Sequence, residues 1–158
     1  KGEEKKVGEL VKEIMEKEVV SLSKDTKIKD AFLKLLNMHI SGLPVLDEDA
    51  RLLGMFTEKD ILRAILPGYL NKVGRFIYED NPKIVKKKLL EIQDLTVEDL
   101  MRGEVVTVDE NTTLCEVARL MLTQNVRRIP ILNKEKKVVG IVAREDILRE
   151  FAKEVGLI

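Results

Sequence analysis

The stretch Gly54–Arg63 reads GMFTEKDILR, and a near copy, GIVAREDILR, stands at Gly140–Arg149. The two copies are 86 residues apart, and the same offset aligns Pro44 with Pro130 and runs without a gap back to Leu10. One structural unit is therefore used twice. Each copy has about 55 residues, which is marginal for an independent domain, so we expect the two copies to pack against each other.

The composition indicates a globular protein with a real core. Hydrophobic residues make up 44% of the 158 residues, and 28 basic side chains balance 28 acidic ones. This balance leaves no global charge to attract nucleic acid or an acidic substrate. No apolar run approaches the roughly 18 residues of a membrane span, and the N-terminus lacks the apolar segment of a secretory signal, so we expect a cytoplasmic protein.

The chain has one cysteine and one histidine. Cys115 lies within a helical pattern, and we expect it to be a small buried hydrophobic residue. His39 stands where a helix ends, a position that favours a cation, so we predict that it caps that helix. The sequence shows no metal-ligand cluster, no phosphate loop and no nucleophile with a partnered base, which argues against an enzyme.

Hydrophobic periodicity predicts the same order of elements in both copies. In the first copy we expect a helix at 7–15, a strand at 19–22, a helix from 26 to 40 begun by Asp25 and Thr26, strands at 43–46 and 51–56, and a helix from Thr57. The second copy repeats the order at 97–101, 105–108, 112–124, 129–132, 138–142 and 143–155. The long helices are amphipathic, and Leu36, Met38 and Leu62 fall on the apolar faces that we expect to be buried.

The two copies are separated by a segment that has no counterpart in the second copy. We place the first repeat at 7–66, the insert at 67–95 and the second repeat at 96–155. The aromatic residues at 69, 76 and 78 argue that the insert packs against the body. A helix over 83–93 is predicted to bury Ile84 and Leu90 and to expose the lysines at 86–88, which are a solvated face rather than a nucleic-acid patch.

Four features, each present twice, resemble the paired cystathionine-beta-synthase (CBS) domain, also called the Bateman module. They are a methionine before the first strand (Met15, Met101), the runs VVSL at Val19 and VVTV at Val105, the segments LPV at Leu43 and IPI at Ile129, and the pattern G-h-h-x-x-x-D-I-L, where h is hydrophobic, at Gly54 and Gly140. The resemblance implies an α/β fold of the α+β type, with two β-α-β-β-α repeats packed sheet to sheet in a pseudo-two-fold module. It also implies clefts between the repeats that bind adenosine-containing ligands.

The segment Thr57 to Asp60 matches the family pattern [ST]-x-x-D, whose hydroxyl and carboxylate hold a ribose or a nearby phosphate. An aspartate at a helix start can accept from two ribose hydroxyls, and the helix N-terminus favours an anion. A plain capping box explains the same residues, and the motif alone leaves both interpretations open. In the second repeat Asp146 remains but Ala143 replaces the hydroxyl residue. We therefore expect the ribose end of the first site to be better equipped.

For binding the phosphate of a ligand, the second repeat is the better equipped of the two. Arg127 and Arg128 precede the second h-P-h strand, where family members carry cationic residues for phosphates, whereas the first repeat has Ser41 and Gly42 there. Each arginine can serve a ligand whose ribose the other repeat holds. The alternative is that Arg127 and Arg128 form ion pairs on the surface, and for Arg127 the two interpretations are equally favoured. The resemblance adds Ser21 and Thr107 on the first strands, with Leu43, Pro44, Ile129 and Pro130, as residues around the adenine; simple strand propensity also explains the two hydroxyl residues.

The sequence thus predicts a regulatory module that binds AMP, ADP or ATP, with no catalytic cofactor and no metal. S-adenosylmethionine or a related compound is the second ligand class. The alternative function is a ligand-free scaffold that dimerises through its helices, and nucleic-acid binding by the insert is a third. A homodimer is expected, together with an effector enzyme, channel or transporter as regulated partner.

Overall fold

In a computed structural model of the chain, residues 9–66 and 82–158 are described. Expectations about residues 7 and 8 and about the aromatic residues of the insert lie outside the described residues. The chain divides into two compact units. The first-repeat unit contains the described residues of 21–47 and 53–104, and the second-repeat unit contains those of 9–20, 48–52 and 105–158.

The first-repeat unit combines a two-stranded sheet with four helices in the described residues. The elements are α1 (Ile28–Met38), β1 (Gly42–Leu46), β2 (Leu52–Thr57), α2 (Glu58–Ile65), α3 (Pro82–Ile92) and α4 (Val97–Leu100). Residue Leu22 extends the sheet by one parallel bridge to Val45. The core is aliphatic around the fully buried Phe56 and includes Ile28, Leu35 and Val97.

The second-repeat unit contains a three-stranded sheet and two long helices. A short 3-10 helix at Val11–Glu13 comes first, followed by β3 (Val108–Asp109), α5 (Leu114–Thr123), β4 (Arg128–Leu132), β5 (Val138–Ala143) and α6 (Arg144–Glu154). Strand β4 lies in the middle, parallel to β3 and antiparallel to β5. The α+β class predicted from the sequence is confirmed.

The backbone repeats even where the side chains differ. Four non-glycine residues in the described segments have positive φ: His39 and Asn125 at 55° and 52°, and Ala50 and Lys136 at 63° and 65°. Each pair is separated by the 86-residue offset of the sequence repeat. His39 ends α1 in the left-handed conformation that often follows a helix. A shared fold therefore imposes the same strained turns on unrelated side chains.

The VVSL and VVTV runs are not strands, contrary to the sequence prediction. Only the last residue of each run enters a ladder, Leu22 opposite Val45 and Val108 opposite Ile131. Leu22 donates to the Pro44 carbonyl and accepts from Leu46 N–H. The next bond back along a parallel ladder requires an N–H at Pro44, which proline lacks, so the ladder stops.

The start of α1 was also predicted wrongly. Its N-cap is Lys27 rather than Asp25 or Thr26, and no side chain caps it. The first-turn N–H groups of Ile28 and Lys29 instead donate to the carbonyls of Leu95 and Gln93, at 2.8 and 3.1 Å. A backbone segment at the end of the insert therefore satisfies donors that a local side chain was expected to satisfy.

The segment that begins each repeat packs on the other repeat. Residues Leu10–Met15 lie at the start of the first repeat in the chain but belong to the second-repeat unit, while the aligned residues Thr96–Met101 belong to the first-repeat unit. The contacts match position by position: Val11 donates to the Thr112 carbonyl as Val97 donates to the Thr26 carbonyl, both at 2.8 Å. Neither compact unit is therefore built from one repeat alone.

The exchanged segments explain the glycine that opens each G-h-h motif. A Cβ at Gly140 would meet the Met15 side chain, with Cγ at 2.7 Å, and a Cβ at Gly54 would meet the Met101 sulfur at 2.9 Å. Gly54 would also meet the carbonyl oxygen of Arg102. The glycine and the methionine are separate features of the sequence pattern, but in the structure they are two halves of one contact.

Several predicted burials are wrong. Leu36, Met38 and Leu62 are 54%, 38% and 50% exposed, and Ile84 and Leu90 on α3 are also exposed. Cys115 is exposed near the start of α5. The apolar stripes of these helices are wider than the face that each unit covers, so periodicity alone overestimated the core.

We predict that Gly140→Ala lowers the free energy of unfolding by about 1–3 kcal/mol, because the added methyl group overpacks the contact with Met15. In the Met15→Ala background the same substitution should cost less, since the side chain that it strikes is gone. Urea unfolding of the four proteins in this double-mutant cycle measures the coupling.

Gly103→Ala is the matched control, because a Cβ at Gly103 has no neighbour within 4 Å. It should leave stability within the scatter of a surface substitution. Equal costs for Gly140→Ala with and without Met15 would contradict the assigned contact.

Candidate functional site

The aspartate of the first motif is held inside the start of helix α2. The Oδ2 atom of Asp60 accepts from the Thr57 N–H at 2.8 Å and from the Thr57 hydroxyl at 3.3 Å, and Oδ1 accepts from Arg63 at 2.9 Å. The residue is only 4% exposed. Of its two oxygens, Oδ1 has one partner and Oδ2 has two.

The second motif keeps the carboxylate and loses the hydroxyl. Asp146 accepts from the Ala143 N–H at 2.8 Å and from Arg149 at 3.4 Å. Its side chain is 30% exposed, compared with 2% for that of Asp60. The looser arginine contact and the missing threonine hydroxyl leave the Asp146 carboxylate more accessible to a ligand. The Asp146 carboxylate is therefore the more exposed of the two.

A third helix start has the same hydrogen bonds. Thr96 donates its N–H and its hydroxyl to Asp99 at 2.9 and 3.1 Å, at the start of the four-residue helix α4. Such bonds are the carboxylate half of a capping box and occur wherever Thr-x-x-Asp begins a helix. The cap alone therefore does not mark a ligand site. Burial distinguishes Asp60 from Asp99, which is exposed.

In both repeats a backbone bond ties the start of the h-P-h strand to the start of the helix. Glu58, the first residue of α2, donates its N–H to the Ser41 carbonyl at 2.8 Å, and Arg144 donates to the Arg127 carbonyl at 2.9 Å. A Cβ at Gly42 would lie 2.7 Å from Cγ2 of Thr57. The residues before the strand are thus brought to the helix N-terminus, where the backbone favours an anion.

The second repeat gathers three arginines at this point. Arg127 directly precedes β4, Arg128 is the first residue of β4, and Arg144 is the first residue of α6. Arg127 is exposed, and the other two are half-buried. Arg144 donates through Nη2 to the Val126 carbonyl at 3.2 Å. Its Nε is buried and has no hydrogen-bond partner in the described part of the chain.

Comparison of the sequence with models of protein families identifies the family of this chain. The model of the CBS domain matches residues 11–67 and 97–153. The chain belongs to the CBS domain family. A CBS domain-containing protein of Dictyostelium discoideum is 33% identical over 140 residues, which cover 88% of each chain.

Two solved structures of CBS pairs carry ligands. CBSX2, crystallised in complex with AMP, is 26% identical with a TM-score of 0.72, and the match covers 94% of this chain and 99% of that one. The CBS domain pair of protein MJ0100, in complex with 5'-methylthioadenosine and S-adenosyl-L-methionine, is 27% identical with a TM-score of 0.66, over 92% and 98% of the two chains. Relatives of this fold therefore bind adenosine compounds with and without a phosphate.

Each compact unit brings together its own set of the residues predicted from the CBS resemblance. The first-repeat unit holds Ser21, Gly42, Leu43, Pro44, Thr57 and Asp60, and the second-repeat unit holds Thr107, Arg127, Arg128, Ile129, Pro130 and Asp146. Leu43 and Ile129 are 2% and 0% exposed, and both prolines are fully buried. These four side chains belong to the core, and the Pro44 carbonyl is already bonded to the Leu22 N–H. Ser21 and Thr107 are half-buried.

Three residues near the CBS motifs were missed by the sequence analysis. Arg63 pairs with Asp60. Lys34 donates its ammonium to the Ser21 carbonyl at 3.2 Å. Arg144 was read only as part of a helix face. Its signal was available, because the aligned residue of the first repeat is Glu58, and a reversal of charge at an aligned position is visible in the sequence alone.

The described residues contain neither a metal-binding cluster nor a membrane-spanning helix. Within residues 9–66 and 82–158, no group of three or more His, Cys, Asp or Glu side chains is arranged to hold a metal ion. None of the helices in these segments is both long enough and apolar enough to cross a membrane.

We predict that Asp60→Ala lowers the free energy of unfolding by about 1.5–3 kcal/mol, because Thr57 and Arg63 lose a buried charged acceptor. Asp99→Ala removes the same cap from an exposed helix start and should cost about 0.5–1 kcal/mol. Thermal unfolding of both variants without ligand measures the difference. Equal costs would mean that burial adds nothing to the cap of α2.

Proposed function

We propose that the chain is a regulatory module that binds adenosine-containing ligands, with AMP, ADP or ATP as leading candidates and S-adenosylmethionine-type compounds as the alternative class. The observation that carries the proposal is the match to CBSX2 in complex with AMP, at 26% identity over nearly the whole of both chains. The module is regulatory rather than catalytic, and it acts on an effector enzyme, channel or transporter. A cytoplasmic location remains a prediction.

The geometry supports this proposal in each CBS repeat separately. A helix of at least eight residues begins beside the h-P-h strand, with a carboxylate in its first turn. The carboxylate can accept from ribose hydroxyls, and the helix N-terminus attracts a phosphate. Ser21 and Thr107 stand immediately before the residues that join the sheet, where their hydroxyl groups are half-buried.

Ligand binding should raise the unfolding temperature. A ligand at 100 times its Kd adds about 2.7 kcal/mol to stability, which for a protein of this size shifts the midpoint by about 5–10 °C. The measurement is thermal unfolding with AMP, ADP, ATP, adenosine and S-adenosylmethionine, each at millimolar concentration. Inosine monophosphate is the matched control for recognition of the adenine edge. No shift with any adenosine compound would contradict the proposal.

A second function, dimerisation, is favoured by one observation. Leu36 and Leu62 in the first repeat align with Leu122 and Leu148 in the second, and all four are at least half exposed, at 54%, 50%, 76% and 60%. Each unit therefore presents a leucine on both of its outer helices, at equivalent positions. Exposed apolar side chains at repeated positions are typical of a symmetric protein interface. We infer a homodimer that buries them.

Leu62→Glu combined with Leu148→Glu should convert the dimer to a monomer, because a charge in a buried apolar contact is costly. Sedimentation velocity at tens of micromolar protein measures the change. Both positions are exposed in the single chain, so its unfolding temperature as a monomer should change little. Lys134→Glu, in the exposed β4–β5 turn, is the control for added charge. A wild-type chain that sediments as a monomer at these concentrations would rule out this assembly.

A further inference from the structure

Three aligned pairs of residues give the two repeats different electrostatic character. Ser41, Gly42 and Glu58 in the first repeat align with Arg127, Arg128 and Arg144 in the second. A fourth aligned pair, Lys59 and Glu145, reverses the sign. Over the four positions the net charge is zero in the first repeat and +2 in the second.

The backbone places these positions together. The Glu58 N–H bonds the Ser41 carbonyl at 2.8 Å, and the Arg144 N–H bonds the Arg127 carbonyl at 2.9 Å. Residues that are distant in sequence are therefore neighbours at the N-terminus of α2 or α6. That N-terminus already favours an anion through its N–H groups. Arginines add to this preference, whereas the carboxylate of Glu58 opposes it.

The three arginines at the aligned positions of the second repeat are not committed to acidic partners. In the described part of the chain, none of Arg127, Arg128 and Arg144 is within ion-pair distance of a carboxylate. Arg144 uses Nη2 on a backbone carbonyl, and its buried Nε has no hydrogen-bond partner. Guanidinium groups bind phosphate oxygens in a bidentate manner, and an unpaired buried donor is costly. A phosphate would offer these guanidinium groups bidentate hydrogen bonds and would give the unpaired donor of Arg144 an acceptor.

In the first repeat two cations outside the four aligned positions contact predicted site residues, and the first of them, Arg63, donates to Asp60 at 2.9 Å. The Lys34 ammonium donates to the Ser21 carbonyl at 3.2 Å, so it is already hydrogen-bonded. At the helix start the exposed Glu58 carboxylate and the Thr57 hydroxyl remain. A hydroxyl group suits a ribose, and a carboxylate suits a neutral or cationic ligand.

Building on the proposed function, we propose that the two repeats select different classes of adenosine ligand. The second-repeat unit binds a nucleoside phosphate, and Arg144 is a specificity-determining residue that contacts the phosphate together with Arg127 and Arg128. The first-repeat unit binds an adenosine compound that has no phosphate. The helix start of each unit sets the choice through the charge that it presents.

The first test compares AMP with adenosine by isothermal titration calorimetry. Arg144→Gln should weaken AMP binding at least tenfold, because a charge-assisted hydrogen bond is lost, and should leave adenosine binding unchanged within about twofold. Arg144→Lys should recover part of the AMP affinity, since it keeps the charge. Arg119→Gln removes an arginine from the outer face of α5, where Arg119 pairs with Glu116, and should affect neither ligand.

The second test transfers the preference. Gly42→Arg, Glu58→Arg and Thr57→Ala together give the first repeat three residues of the second, those at the positions of Arg128, Arg144 and Ala143; the alanine is included because a Cβ at Gly42 meets the Thr57 side chain. This triple variant should bind two AMP molecules per chain, where the wild type binds one. Glu58→Gln, which removes only the opposing charge, should give an intermediate gain in AMP affinity at the first repeat.

The outcomes separate this inference from the proposed function. If AMP, adenosine and S-adenosylmethionine all fail to bind the wild-type chain, both are overturned. If they bind, but Arg144→Gln weakens adenosine as much as AMP, Arg144 only supports the fold and the charge selection is wrong. A triple variant that still binds adenosine but gains no second AMP would overturn the selection as well.

Discussion

The contact between the motif glycine and the methionine of the exchanged segment is the constraint on which both units depend. Strand β2 is bordered by residues 101 and 102, and β5 by residues 15 and 16. Met55 and Arg102 exchange two backbone hydrogen bonds at 2.9 and 3.0 Å, and Glu16 and Ile141 do the same. Only a residue without a side chain allows the methionine to lie so close to the strand. The same contact covers the outer edge of each hairpin, which removes an exposed strand edge.

This exchange means that neither repeat is an independent folding unit. A fragment that ended before residue 93 would leave the first turn of α1 without the carbonyls of Gln93 and Leu95 and would uncover β2. Buried backbone donors without partners cost more than an isolated module of this size can offset. Duplication has therefore produced a mutual dependence through chain connectivity.

Much of the fold could be predicted because the signals were local and occurred twice. These signals are the proline of each h-P-h strand, the amphipathic helices and the Thr-x-x-Asp helix start. Each depends only on residues that are close together in the sequence. The failures involved distant partners. The ladder at Val19–Leu22 ends because Pro44 has no N–H to offer, and α1 begins without a side-chain cap because residues 93 and 95 accept from it. Similarly, Leu36 and Leu62 fit the helical period, but whether a partner covers that face is not encoded in the period.

The candidate site shows the same division between local and distant signals. The motif located Asp60 and Asp146 correctly at helix starts, but it treated the missing hydroxyl at Ala143 as a loss for the second repeat. In the structure the hydroxyl of Thr57 and the guanidinium of Arg63 occupy the Asp60 carboxylate, whereas the Asp146 side chain stays 30% exposed. A hydroxyl that helps to cap a helix competes with a ligand for the same acceptor. Divergence at one position can therefore leave a carboxylate more exposed, and in the second repeat the same helix start also brings Arg127 and Arg144 together.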